Sequence, residues 1–193
     1  MKKIVKRLLH VLSAFLISPF TLFFLILIVF LNKDVVFTSF SQLLSLLPSK
    51  VGVYLRAGFY RFTMASCSPD AVISFLVLFS QRDTDIANGV YIGPQCNIGK
   101  CRIGENALIG SGVHIMSGKG QHNFTDLTIP IKDQAGTFDK VDIGKNCWIG
   151  NGSMIMANIG ADSIIGAGSV VLSDIPPYSI AAGNPAKVIK TRS

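Results

Sequence analysis

Through the second half of the chain an aliphatic residue followed by glycine returns about every six positions. The steps are Ile92-Gly93, Ile98-Gly99, Ile103-Gly104 and Ile109-Gly110, then Ile143-Gly144, Ile149-Gly150, Ile159-Gly160 and Ile165-Gly166. This spacing fits neither the face of a helix nor the two-residue alternation of a strand. It predicts an all-β solenoid in which each hexad is a short strand and a corner. The aliphatic side chain points inward, and the glycine lets the chain turn without a Cβ clash. Three hexads, about eighteen residues, close one coil of a parallel β-helix. Regular hexads run from Ile86 to Ile115 and resume from Ile143 to about Val171, and Val72–Phe79 is an apolar entry, so the solenoid is placed at 67–180.

The amino-terminal pattern differs. From Leu8 to Leu31 no residue is charged, and Lys2, Lys3, Lys6 and Arg7 precede the run. An apolar stretch of that length is a membrane segment, and the exit Phe30-Leu31-Asn32-Lys33-Asp34 carries no small-x-small cleavage site. Residues 1–34 are therefore read as a retained α-helical membrane segment. Ser18-Pro19 divides it into two pieces that each match about half a bilayer, which favours a re-entrant hairpin broken at that dipeptide. A spanning helix with a tolerated proline kink is the alternative. Residues 35–66 mix Leu, Val and Phe with Lys50, Arg56, Arg61, Tyr54 and Tyr60. They are expected as amphipathic helices at the headgroup layer, or as a cap on the solenoid end.

A charged, irregular insertion at 116–140, containing GKGQHNFTDLTIPIKDQAGTFDK, interrupts the hexads. A regular repeat does not need such an excursion, so it is the place to look for function. After the last hexads comes a tail, expected at 181–193.

Charge sharpens this division. Residues 1–61 hold eight Lys or Arg and one acid, whereas the rest of the chain is balanced, so the entire net charge of +7 sits on the apolar end. That argues for anionic lipid headgroups as the partner and against nucleic acid, which wants its basic stripe on the folded domain. The four cysteines, Cys67, Cys96, Cys101 and Cys147, have no Cys-x-x-Cys or zinc-like spacing and are expected as reduced, structural thiols.

Three histidines exist. His10 lies in the apolar segment, His114 inside a hexad, and His122 at the start of the insertion. An imidazole, titrating near neutrality, can take a proton from an attacking hydroxyl, as acyl transfer to an alcohol requires.

The runs GENALIGSGVHIMSGKGQH, VDIGKNCWIGNG, IGAGSVV and DIPPYSIAAGNPAKVIK, in this order, resemble the hexapeptide-repeat acyltransferase superfamily, and most closely its maltose, galactoside and nodulation O-acetyltransferase branch. The similarity covers roughly residues 86–190. It implies a left-handed parallel β-helix, a homotrimer, and acetyl-CoA held in clefts between subunits. By the same resemblance His122 is the catalytic base and His114 is not. Trp148 stands in the cleft wall, and the backbone N–H of Asn151 stabilises the oxyanion. Ala167 holds the pantetheine arm through its main chain, and Lys187 and Lys190 lie near the nucleotide phosphates. Asn88 falls near an acceptor-binding asparagine. Leu172-Ser173 stands where the family often has Thr-Lys, which removes one coenzyme contact. Asp126 or a backbone carbonyl is the candidate to orient His122.

These residues point to a membrane-associated O-acetyltransferase acting on a sugar hydroxyl of a lipid-linked or cell-surface polysaccharide intermediate, on the cytoplasmic face of a bacterial inner membrane. No metal is called for. Two competing functions are a non-catalytic trimeric membrane scaffold and a zinc hydratase like the γ-type carbonic anhydrases. The latter needs three His ligands, and the solenoid has only His114 and His122.

Overall fold

The computed structural model describes residues 2–192. The hexads form short strands on three faces of a left-handed parallel β-helix of six coils. The first coil is β1 (Ser66–Cys67), β2 (Val72–Ile73) and β3 (Leu78–Phe79), and the second is β4 (Asp85–Ile86), β5 (Tyr91–Ile92) and β6 (Asn97–Ile98). The third is β7 (Cys101–Ile103), β8 (Leu108–Ile109) and β9 (His114–Ile115). Beyond the insertion come β10 (Val141–Ile143), β11 (Trp148–Ile149) and β12 (Met154–Ile155), then β13 (Ile164–Ile165), β14 (Val170–Val171) and β15 (Ser179–Gly183). Ile159 and Ile175 continue the first face as single bridges.

The register explains the repeat. Ile73, Ile92, Ile109, Ile149 and Ile165 pair coil on coil into one inward column, and all are buried. Each buried aliphatic side chain contributes about 1.5–3 kcal/mol. The glycines that follow serve a purpose other than the expected turn. A Cβ on Gly104 would lie 2.6 Å from the backbone nitrogen of Lys145 on the next coil, so glycine is there for coil-to-coil approach. The left-handed corner backbone falls elsewhere, at Asn106 (φ 58°), Asn146 (φ 53°) and Gly112 (φ 65°), where Asn and Gly are the residues that tolerate it.

Two helices close the open end of the first coil. In α2 (Lys33–Ser45), Asn32 caps the start by accepting from the N–H groups of Asp34 and Val35, and Val36, Phe37, Phe40 and Leu44 are buried. In α3 (Ser49–Thr63), the Tyr60 ring meets Phe79 at 4.9 Å, and its hydroxyl donates to Ser41 Oγ, which accepts from the Phe79 N–H. Arg56 is fully buried and donates to the carbonyls of Ile73, Leu44 and Leu47. The pair is thus a cap on the solenoid, which still leaves Val35, Leu43, Leu46, Val51 and Phe62 exposed.

Two expectations need correction. The apolar run is one helix, α1 (Lys2–Phe30), with Pro19 inside it and no break at Ser18-Pro19. Proline removes the N–H that would reach the Phe15 carbonyl, but the Ser18 hydroxyl donates to that carbonyl at 2.7 Å and fills the gap. Nor is α1 detached: Phe24 is fully buried, packing on Phe37, Phe40 and Phe59 of the cap. The carboxyl-terminal tail is a strand, β16 (Ala186–Thr191), which pairs antiparallel with β15 through a cis Asn184–Pro185 turn and extends the face of β11 and β13.

The four thiols are free and buried. Burial pushes the thiol pKa of Cys67 up to about 12 and that of Cys96 up to about 11, which keeps them as packed, unreactive groups.

Candidate functional site

The face built from β2, β5, β8, β11, β13 and β15, with β16 at its edge, carries most of the candidate residues. Ile149 points into the core, so alternation along β11 turns Trp148 outward, and its side chain is 51% exposed between Leu108 and Ile164 of the flanking strands. Continuing up the same column, Ile164 pairs with Ile180 and Ile180 with Lys190. Strand spacing sets Lys190 about 14 Å from Trp148 along this face. Lys187 lies on the same strand opposite Ala182, and both lysines are exposed.

The corner after β11 is built from stacked small residues. Asn151 follows Gly150, and one coil on Ala167 follows Gly166, with the Gly168 N–H donating to the Asn151 carbonyl at 2.8 Å. The Gly150 N–H donates to Ile165 and the Gly152 N–H to Ser111. Among the described residues, the N–H between them, that of Asn151, donates to no backbone carbonyl. The Asn151 side chain has a separate structural task that the sequence did not signal: its Oδ1 accepts the Ser111 N–H at 3.0 Å and ties this corner to the coil below. Asn151, Ala167 and Trp148 are therefore brought together, and Lys187 and Lys190 complete the same edge. Leu172 and Ser173, exposed beyond β14, lie on the adjoining face.

The insertion leaves after β9 and folds back on itself. The Asn123 N–H donates to Ala135, that of Thr137 to Gly120, and that of Asp139 to Ser117. Its return is fixed by Lys140, whose Nζ lies 2.6 Å from the carboxylates of both Asp83 and Asp85. That ammonium holds the Asp83 carboxyl below its ordinary range. Sequence reading missed this clamp because the partners are far apart along the chain. Beyond the base the loop projects with Phe124, Leu127, Ile129 and Ile131 exposed, Leu127 at 97%.

His122 sits on this projecting arm and is exposed. Among the described residues no hydrogen bond joins it to the Trp148 edge of its own chain. Asp126, a candidate to orient it, uses its Oδ1 to accept from the N–H and hydroxyl of Thr128 in a local turn, and these bonds lower its pKa. Asn88 is not brought to the other residues. It lies on a different corner in the second coil, where its side chain accepts from Ser68 and its carbonyl from the Asn106 N–H. His114 is exposed on β9, between Asn97 and Met154 of the flanking coils. Among the described residues no cluster of three His, Cys, Asp or Glu side chains is set to hold a metal ion.

The family described as bacterial transferase hexapeptide (six repeats) matches residues 83–117 and 140–173, the coils on either side of the insertion. A probable acetyltransferase of Mycobacterium tuberculosis is 39% identical over 92 residues, covering 47% of this chain and 30% of that protein. The chain spans less than a third of the length of the curated relatives it matches. Among solved structures, a hexapeptide-repeat acetyltransferase of Vibrio cholerae superposes with a TM-score of 0.67 at 19% identity, covering 85% of this chain and 95% of that one. A galactoside acetyltransferase in complex with coenzyme A superposes with a TM-score of 0.62 at 23% identity, covering 85% and 84%. At these identities the likeness is one of fold.

Proposed function

We propose, from the match of residues 83–117 and 140–173 to the bacterial transferase hexapeptide family, that the protein is a membrane-associated O-acetyltransferase. It moves an acetyl group from acetyl-CoA to a sugar hydroxyl of a lipid-linked or cell-surface polysaccharide intermediate, on the cytoplasmic face of a bacterial inner membrane. The observation that carries this reading is the single edge on which exposed Trp148, the corner backbone of Asn151 and Ala167, and the lysines of β16 are stacked. An apolar wall, main-chain donors and a cationic end, in that order, suit a coenzyme whose thioester arm is amide-bearing and whose far end carries phosphates.

His122 lies on a different corner of the same chain, so the site is completed by a neighbouring copy in a homotrimer. The exposed apolar arm of Phe124, Leu127 and Ile131 supports that assembly, since a side chain as exposed as Leu127 is placed to be covered by a partner. In the assembled cleft the imidazole of His122 takes the proton of the sugar hydroxyl as its oxygen attacks the thioester carbonyl. The Asn151 N–H receives the negative charge that develops on the carbonyl oxygen. The C–S bond then breaks, and the coenzyme A thiolate recovers the proton from the imidazolium.

Titration of the purified protein with coenzyme A tests the reading. Binding is expected, and Trp148→Ala and Lys190→Ala are each expected to weaken it by about tenfold, the loss of about 1.4 kcal/mol, with the melting temperature unchanged. A protein that does not bind coenzyme A is a scaffold.

A further inference from the structure

The helix α1 has two faces along its whole length. On one, Ser13, Ile17, Thr21 and Phe24 are buried against the cap. On the other, Leu8, Val11, Phe15, Leu22, Ile26 and Val29 form a stripe whose members are 49% to 74% exposed. By length and composition the helix is able to cross a bilayer, yet its contacts oppose that. The Lys6 ammonium lies 2.8 Å from the carboxylate of Asp70, which belongs to the first coil, and Phe24 is locked among the aromatic rings of α2 and α3. From Lys6 to Phe24 is about 27 Å of helix, nearly the full hydrocarbon thickness of about 30 Å. The cap beside it is itself fixed to the solenoid, since Asp34 accepts the Arg82 N–H and Arg56 donates to Ile73. An upright α1 would draw Asp70, Arg82 and the first coil into hydrocarbon, where their charges and unpaired backbone groups are costly. A flat α1 immerses only its apolar stripe.

The amino-terminal end of the helix adds a second feature. A cavity of about 650 Å³ there is lined by Lys6, Arg7, His10, Arg61 and Asp70, and is therefore net positive. Lys50 and Tyr54 border an adjoining cavity of about 230 Å³. Leading away from these, an apolar groove of about 190 Å³ runs between α1 and α3 past Leu9, Leu12 and Leu16. The cationic pocket shares Lys6, His10 and Asp70 with the adjoining cavity, which in turn shares Tyr54 with the groove; a cationic pocket, an apolar groove and an apolar stripe so placed complement an anionic headgroup with its acyl chain.

We propose that α1 lies in the plane of the membrane, neither spanning it nor turning back within it, and that the Lys6, Arg7 and Arg61 pocket takes the phosphate of an anionic phospholipid whose chain occupies the α1–α3 groove. This deepens the membrane association proposed above and rests on it, but it does not depend on acyl transfer. Both ends of α1 then stay on the side of the solenoid. Since the helix layer closes the coil end, the solenoid axis stands along the membrane normal. The insertion, which leaves from the third coil, is two coil rises, about 10 Å, above the first, within reach of a sugar carried on a membrane lipid.

The test uses the full chain, diluted from detergent onto vesicles of phosphatidylcholine alone or with added phosphatidylglycerol, and separated by flotation. Stronger partitioning onto the anionic vesicles is expected. Arg7→Gln and Arg61→Gln, both at exposed positions, are each expected to weaken that preference about fivefold without changing the melting temperature. Equal partitioning of the wild type onto both vesicles, or a preference that survives in the double variant, overturns the pocket. A protein that floats with neither overturns the membrane association as well, and leaves the coenzyme A titration as the separate judge of the enzyme. For the flat helix, Arg7→Cys, off the apolar stripe, and Lys119→Cys, both at exposed positions, are probed with a membrane-impermeant maleimide, against the quiet background of four buried native thiols. Labelling of both from one side is expected; labelling from opposite sides overturns it.

Discussion

At the residue scale, glycine carries two separate duties in this solenoid, and the structure lets them be told apart. Gly104 keeps a right-handed or extended backbone but faces Lys145 of the next coil, whereas Gly112 has φ 65° with open space around its missing Cβ. Gly104→Ala is therefore expected to cost about 1–3 kcal/mol, as overpacking does. Gly112→Asn should cost under about 1 kcal/mol, because asparagine adopts that backbone readily and already does so at Asn106 and Asn146. Urea midpoints of the two variants check this, and the reverse order would mean that conformation, and not coil stacking, dictates the Ile-Gly step. The same residues show what was legible. The aliphatic-glycine beat revealed the second to fifth coils; in the first, Ser74 and Ser80 follow Ile73 and Phe79, and in the sixth, Pro176 and Ala182 follow Ile175 and Ala181, which hides the pattern. Asn151 was legible only as a backbone donor; the tie from its side chain to Ser111 depends on a partner in another coil.

Among elements, the insertion shows how a long loop is held without a core of its own. Its outgoing and returning arms are tied to each other by backbone bonds, and its return is pinned where Lys140 meets Asp83 and Asp85. Lys140→Met is expected to leave global stability within about 1 kcal/mol, since exposed ion pairs contribute little, while speeding hydrogen exchange across residues 117–139. The pH dependence has a definite sign. Asp83 titrates below its unfolded value when folded, so the tether is fully present above about pH 4 and is lost as pH falls through the lower, folded pKa. Wild-type exchange in the loop should approach that of the variant only in acid; a difference that persists unchanged there would assign the ordering to the backbone bonds alone. The position and limits of this loop were plain in the sequence, because it breaks a strict repeat. The continuity of α1 was not, because a proline signals a break and the repair by the neighbouring Ser18 hydroxyl is a matter of geometry. The strand character of Ala186–Thr191 was also hidden, since its side chains are mostly exposed and carry no alternation.

For the whole molecule, the order along the solenoid axis is an apolar helix, a two-helix cap, and six coils with a projecting arm in the middle. Net positive charge and exposed hydrocarbon are gathered at one end, and the edge of Trp148, Asn151 and Lys190 lies beyond the arm toward the other. The class of fold was readable from spacing alone, but the separation of His122, on the arm after β9, from Trp148 on β11 was not. A repeat gives the coil on which a residue sits and says nothing about how an insertion between coils will project. That separation is why His122 is the residue on which the functional account turns. Mass spectrometry of surface glycans from cells producing either the wild-type protein or His122→Ala measures this directly. Loss of a base of this kind costs about 10²- to 10⁴-fold in rate, so glycans heavier by one acetyl group are expected with the wild type and are expected to be absent with the variant. Equal acetylation in both would contradict the account.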